Sequence, residues 1–319
     1  MICIIGSETT QNYGLFNDLR HLPDYLVVFA KPPAFYGTIA WRVARRINPD
    51  LMRFYQEHVR WKRLVLKNLE KLDRIVVVDT ALRRFDIGFL NQCKEIKPGI
   101  QIDCLLLNST GSWTFAEPVI HTKFYSFHWD TVLSFDPHDA EQNGWKYTGL
   151  HYYSKTHVPA TDKSRFDLFF AGALLEKRGK TLLHLLDCFN SNSVNCLYIC
   201  PCKRRDRHFS TIPKGLHLIQ NRISYRKILK KMIKSNCILE ILQEGQGGST
   251  LRYCEAVCYN KKLLTTNSEI VHYPFYNERY MKVFSTEADI DYEWIKKPES
   301  IDYGYNNEFS PIHLFRTVS

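Results

Sequence analysis

A loop of glycines and small polar residues, Gly245-Gln246-Gly247-Gly248-Ser249-Thr250, runs directly into Arg252 and Glu255, and Glu240 lies shortly before it. Successive backbone N–H groups in such a loop, followed by a helix N-terminus, favour an anion such as a diphosphate. Arg252 and Glu255 stand three apart and share one helix face. The guanidinium suits a phosphate and the carboxylate suits sugar or ribose hydroxyls, which is the chemistry of a sugar nucleotide. The plainer alternative is a tight turn in which Ser249 only caps the helix.

The flanking sequence supplies the elements that would position these groups. Cys237 to Leu242 reads as a buried strand. Leu251, Cys254, Val257 and Cys258 recur at helical spacing, Asn260 stops the helix, and KKLLTTN gives a second strand. Strand, loop, helix and strand form an α/β crossover unit.

The same alternation runs through the chain. Strands are expected at Met1–Gly6, Tyr25–Ala30, Arg74–Val78, Ile100–Leu107, Thr131–Phe135, Phe166–Phe170, Cys196–Cys200, Leu216–Ile219 and Lys282–Phe284. Helices are expected at Ile39–Ile47, within Asp50–Leu72, and at Phe85–Ile96, Glu176–Phe189 and Ile223–Ser235. The segment SETTQNYG after Gly6 reads as a ligand-facing loop, Tyr292–Asn307 has no pattern, and Ile312–Val318 reads as a last helix or a tail. Buried strands alternating with helices predict parallel, doubly wound sheets. Thr148–Arg165 has turn residues and no period, so it reads as a linker between domains 1–150 and 151–319. Two such halves, with the stronger phosphate loop in the second, match the two-domain GT-B layout, in which Rossmann-like domains face each other across a cleft.

The 319 residues carry a formal charge of +10, which calls for an acidic partner. The cations fall in short clusters (Arg42–Arg46, Lys62–Lys71, Lys203–Arg207, Arg226–Lys234) that read as solvated helix faces or as a surface meeting a membrane. No nucleic-acid module with stacking aromatics at fixed spacing is present, so a nucleic-acid partner is not expected. Nothing approaches a membrane-spanning run, and MICIIGSE reads as a core strand rather than a secretory signal. The ten cysteines lack the paired C-x-x-C spacing of zinc sites and fit the reducing cytosol. Asp289-Ile290-Asp291 follows only a weak strand near the C-terminus. No metal and no cofactor are expected. The chain also has no P-loop lysine, no G-x-G-x-x-G and no Ser-His-Asp signature.

Three segments resemble a family of bacterial glycosyltransferases of lipopolysaccharide and capsular polysaccharide synthesis: Thr131–Tyr153, Phe166–Leu186, and Cys237–Asn267 with its continuation IVHYPFYNE. One difference is that retaining enzymes of the GT-B fold place two glutamates closer together than Glu244 and Glu255 stand here. The resemblance implies a metal-independent enzyme that moves a sugar from a nucleotide diphosphate donor to a glycan or lipid-linked glycan, in the cytoplasm or at the inner face of the membrane. It places the donor on the second half, at Gly172, Lys177, Arg178, Glu240, Gln246, Gly247, Gly248, Ser249, Thr250, Arg252 and Glu255. Gly172 also suits a plain turn, and Lys177 and Arg178 also suit exposed charges at a helix start. A general base for an acceptor hydroxyl is expected at a strand end of the first half, at Asp136 or His138, with Asp79 similarly placed. Asp136 and Asp139 also suit capping of the short helix after Phe135, Asp139 more naturally. The alternative function is a non-catalytic nucleotide- or glycan-binding protein of the same fold.

Overall fold

The computed structural model describes residues 1–30, 43, 46, 59–113, 117–159, 165–174, 176–201, 212–220, 223–242 and 247–318. Two compact units emerge, Met1–Gly149 with Pro311–Ser319, and Leu150–Ser310.

The first unit is a six-stranded, fully parallel sheet built from β1 (Ile2–Ser7), β2 (Tyr25–Ala30), β3 (Arg74–Val78), β4 (Gln101–Leu105), β5 (Thr131–Ser134) and β6 (Lys146–Tyr147), in the order β2-β1-β3-β4-β5-β6. Its central strands are near-continuous apolar runs because helices cover both faces of such a sheet. In β3 every residue after Arg74 is buried. Among the described residues up to 149, its helices include α1 (Glu8–Tyr13), α2 (Arg60–Asn68), α3 (Gly88–Ile96), α4 (Pro118–Tyr125) and α5 (Pro137–Asn143).

Several elements differ from the sequence reading. SETTQNYG is mostly α1, started by a Ser7–Thr10 capping box and ended by Gly14 in the left-handed region. Asp79–Arg84 is a 3-10 turn, so α3 begins later than expected. Helix α4 had no counterpart in the periodicity. The expected basic helix Ile39–Ile47 lies outside the described residues except at positions 43 and 46, both helical, as does the first part of Asp50–Leu72. Within the remainder Trp61 is buried, whereas Leu64 faces solvent.

The second unit repeats the plan with β7 (Phe166–Ala171), β8 (Cys196–Pro201), β9 (Leu216–Ile219), β10 (Ser235–Glu240), β11 (Lys262–Thr265) and β12 (Met281–Val283). All pair in parallel, in the order β12-β11-β10-β7-β8-β9. The helices are α6 (Glu176–Ser191), α7 (Tyr225–Met232), α8 (Leu251–Cys258) and α9 (Tyr292–Lys296). Asn260, at φ +52°, ends the α8 region as expected from its tolerance of the left-handed conformation. Helix α9 occupies the stretch that showed no pattern.

Part of the supposed linker belongs to the core of this unit: His151, Tyr152, Tyr153 and Ser154 are all buried. The last helix, α10 (Pro311–Val318), packs with the first unit rather than the second; its Phe315 is fully buried and its ring lies 6.1 Å from that of Tyr25. The two doubly wound, Rossmann-like units agree with the expected fold class. Among the described residues no helix is long and apolar enough to cross a membrane, and nine cysteines are free thiols.

Candidate functional site

In an open parallel sheet, ligands bind beyond the carboxyl ends of the strands where the strand order reverses. In the second unit the order reverses between β7 and β10. The Ala171 carbonyl and Gly172 mark the end of β7, and Glu240 marks the end of β10. The loop after Glu240 leads into α8, whose first turn therefore lies over this point.

Arg252 in that turn donates from Nη2 to the Ala171 carbonyl at 3.1 Å and from Nη1 to Glu255. Glu255 is fully buried on the next turn of the same helix, and its other oxygen accepts from the Tyr225 hydroxyl. The Tyr153 hydroxyl lies 2.8 Å from that of Tyr225 and extends the network into the supposed linker. Burial pushes the Glu255 carboxyl up, and Arg252 and the Tyr225 hydroxyl pull it back. Arg252 is thus clamped by a charge-assisted pair on one side and a strand carbonyl on the other, and its position is fixed.

Glu240 is equally enclosed. One oxygen accepts from the Thr250 hydroxyl and the other from the Thr265 hydroxyl on β11. Burial raises its carboxyl, against those two hydroxyls and Arg252. Thr250 is the N-cap of α8, accepting from Arg252 N at 3.0 Å.

Arg178, near the start of α6, donates from Nη2 to the Ala173 carbonyl at 2.9 Å. Its Nε is buried without a hydrogen-bond partner. Burial lowers its pKa, and the Arg252 charge beside it acts in the same direction. Two guanidiniums therefore converge at the end of β7. Like charges brought together at a sheet's switch point, one with an unsatisfied donor, form a site suited to an anion.

The glycine loop is more closed than its composition implies. Ser249 is buried and its hydroxyl accepts from the His151 backbone N–H at 2.6 Å. Gly248 adopts φ +72°, and its carbonyl accepts from Asn267 at 3.0 Å. Gly172 is a tight-packing position, where a Cβ would meet the Phe170 ring at 2.9 Å. Gly247 borders Gly248. Gln246 lies outside the described residues, as do Glu244 and the Lys177 side chain. Of the expected donor group, the structure brings together Gly172, Arg178, Glu240, Thr250, Arg252 and Glu255. Both acids serve as buried partners for hydroxyls and Arg252.

In the first unit the order reverses between β1 and β3. The Ser7 hydroxyl at the end of β1 lies 2.9 Å from that of Thr80, just past β3. Asp79 is fully buried and accepts from the N–H groups of Thr80 and Asn108 and from the Asn108 amide. Burial pushes its pKa to about 7 against those hydrogen bonds. Asp136, at the end of β5, is the N-cap of α5, accepting from His138 N at 3.0 Å and Asp139 N at 3.4 Å, with a further bond from the Ser109 hydroxyl. This corrects the expectation that Asp139 is the cap. Asp139 instead accepts from the Thr110 N–H and hydroxyl, at 2.7 and 2.6 Å. His138 stands exposed at the start of α5.

Asp289 and Asp291 also have structural roles. Asp289 completes a capping box with Thr286, and Asp291 caps α9 while pairing with Lys282 at 2.9 Å. Tyr153, Tyr225 and Ala171 carry the site without having been anticipated; the tyrosines lie in a stretch read as a linker and on a helix read as merely basic.

No protein-family profile and no curated protein matches the chain. Among solved structures, a UDP-N-acetylglucosamine 2-epimerase from Rickettsia bellii is similar at TM-score 0.46 and 13% identity, over 84% of this chain and 78% of that one. The spinosyn rhamnosyltransferase SpnG is similar at TM-score 0.43 and 12% identity, over 93% of this chain and 89% of that one. An alpha-glucosyltransferase in complex with UDP-glucose and DNA gives TM-score 0.43 and 10% identity, over 83% and 79%. With scores this low, the fold assignment rests on the two strand orders themselves.

Proposed function

We propose that the protein is a glycosyltransferase that takes a sugar from a nucleotide diphosphate donor held on its second unit. The observation that carries this reading is the convergence of Arg178 and Arg252 just beyond β7, Arg252 tied to the carbonyl of its last residue and Arg178 to that of Ala173, two residues on. Departure of a diphosphate requires its growing charge to be met by cations already in place. Glu255, Tyr225 and Glu240 position that arrangement, and Thr250 and Gly248 shape the turn above it. The acceptor belongs to the first unit. There His138 takes the proton of the attacking hydroxyl, and Asp136 positions it by capping its backbone.

A surface-polysaccharide or lipopolysaccharide intermediate, glycan or lipid-linked, is the acceptor class supported by the resemblance of the three segments. The exposed cations Arg226, Lys227, Lys230 and Lys231 on α7 support a cytoplasmic protein resting against the membrane.

Thermal stabilisation by UDP, GDP, CDP and CMP tests the donor reading. At least one nucleotide should stabilise the chain, with the gain lost in Arg178→Ala. Absence of stabilisation by all four would overturn it. The non-catalytic alternative has one observation in its favour, the enclosure of both Glu240 and Glu255. Hydrolysis or transfer of a bound sugar nucleotide separates it from the enzyme.

A further inference from the structure

Helix α6 places His184 and Cys188 one turn apart on the same face. Glu287, in the 3-10 turn after β12, reaches the same point. Glu287 Oε2 is hydrogen-bonded to His184 Nε2 and accepts from the Cys188 thiol at 3.4 Å, while Cys188 Sγ and His184 Nε2 are 3.8 Å apart. An imidazole nitrogen, a thiol sulfur and a carboxylate oxygen thus all lie within 4.8 Å of one another. His184 and Glu287 are exposed and Cys188 is half-buried, so the cluster is open to solvent from one side.

We propose that His184, Cys188 and Glu287 bind a transition-metal ion of the zinc class and so clamp α6 to the turn after β12. None of the three residues belongs to the proposed sugar-donor or acceptor sites. A tetrahedral ion about 2.0–2.3 Å from N, O and S donors holds those donors roughly 3.3–3.8 Å apart. Both sulfur separations already fall in that range, and the direct His184–Glu287 hydrogen bond opens to admit the ion. The donor types also decide between ions. One thiolate and one imidazole suit zinc or cobalt, whereas magnesium and calcium require shells of oxygen.

On binding, Cys188 gives up its thiol proton to solvent, His184 coordinates as neutral imidazole, and Glu287 coordinates as the carboxylate. Without a cation, burial and the Glu287 charge both keep the Cys188 thiol protonated. The metal supplies the positive charge that the thiolate otherwise lacks. Three protein ligands leave the fourth position to water. The spacing rules applied to the sequence missed this set because only the His-Cys pair is local, and the third ligand comes from a distant turn.

The test is titration of the chelator-treated full-length chain with cobalt(II), followed by displacement with zinc. One equivalent of cobalt should produce a thiolate charge-transfer band that zinc removes, and zinc should raise the melting temperature. Cys188→Ser should abolish the band. His184→Ala and Glu287→Gln should each weaken binding by about tenfold or more, since even outer-shell partners of a metal site are worth that much. A band that persists in Cys188→Ser would assign cobalt to another cysteine and overturn the proposal. So would unchanged affinity in both His184→Ala and Glu287→Gln, or no band in the unaltered chain.

Discussion

The carboxyl edges of the two sheets share a plan and differ in charge. In the first unit, Asp79, Asp136 and Asp139 are buried and held by hydroxyls and backbone N–H groups. In the second, Glu240 and Glu255 are buried too, but they brace Arg252, with Arg178 beside it. Buried acids at the two edges thus have different neighbours, neutral donors at one and guanidiniums at the other. One edge presents protonatable and hydrogen-bonding groups, suited to hydroxyls. The other uses its acids as an internal frame for cations, suited to a diphosphate. The same backbone solution serves two chemistries because the strand-end residues, not the sheet, set the local field.

The sharpest way to break the comparison is to remove the frame in the second unit. Glu255→Ala removes the buried carboxylate that Arg252 and Tyr225 share, and should cost about 3–5 kcal/mol, read from denaturant midpoints. Glu255→Gln should cost less, because an amide oxygen still accepts from Tyr225.

A pH series addresses the first edge. Asp79 has a folded pKa of about 7, above its unfolded value near 3.9, so the folded state holds the extra proton between the two. Its contribution is complete below the unfolded value and is lost as pH rises through the folded one, by up to about 4 kcal/mol. Asp79→Asn should flatten that part of the stability profile. Glu240 and Glu255 are also raised and add slope of the same sign, so some dependence should remain.

Arg178→Ala separates ligand binding from stability. The variant loses the bond to the Ala173 carbonyl but also removes an unpaired buried Nε and a like charge beside Arg252, so folding should change by about 1 kcal/mol or less while nucleotide diphosphate affinity falls by about 1.5–3 kcal/mol, measured by calorimetry. The smallest effect is expected for Asp136→Ala, which removes the α5 cap and should cost about 1–2 kcal/mol in thermal or chemical denaturation. A much larger loss there would give Asp136 more than its capping role.

The strands were legible because parallel strands covered on both faces must be apolar throughout, as in RIVVV and CILEIL. The Arg252–Glu255 pair was legible because helical spacing alone puts the two residues on one face. Contacts distant in sequence were not. Tyr153 and His151 sit in a stretch of turn-forming residues, yet they are buried by Tyr225 and Ser249, which lie far along the chain. Lys262 opens a strand that was legible, but its burial was not: its ammonium sits on the Trp294 and Lys297 carbonyls at 2.6 and 2.7 Å. Spacing favoured Asp139 over Asp136 as the cap and was wrong, because the hydroxyl and N–H of Thr110 that claim Asp139 are distant in sequence.

The return of α10 to the first unit bears on how this molecule is made. Residues 311–319 complete a body whose other parts are all synthesised before residue 150, with the whole second body intervening. During translation the first body must wait with the place of Phe315 exposed beside Tyr25, while the second can close as soon as its own strands have emerged. Closure of the first body therefore depends on residues made after the second, and a nascent chain stalled near residue 310 should carry a more protease-sensitive first body than one that has passed residue 318.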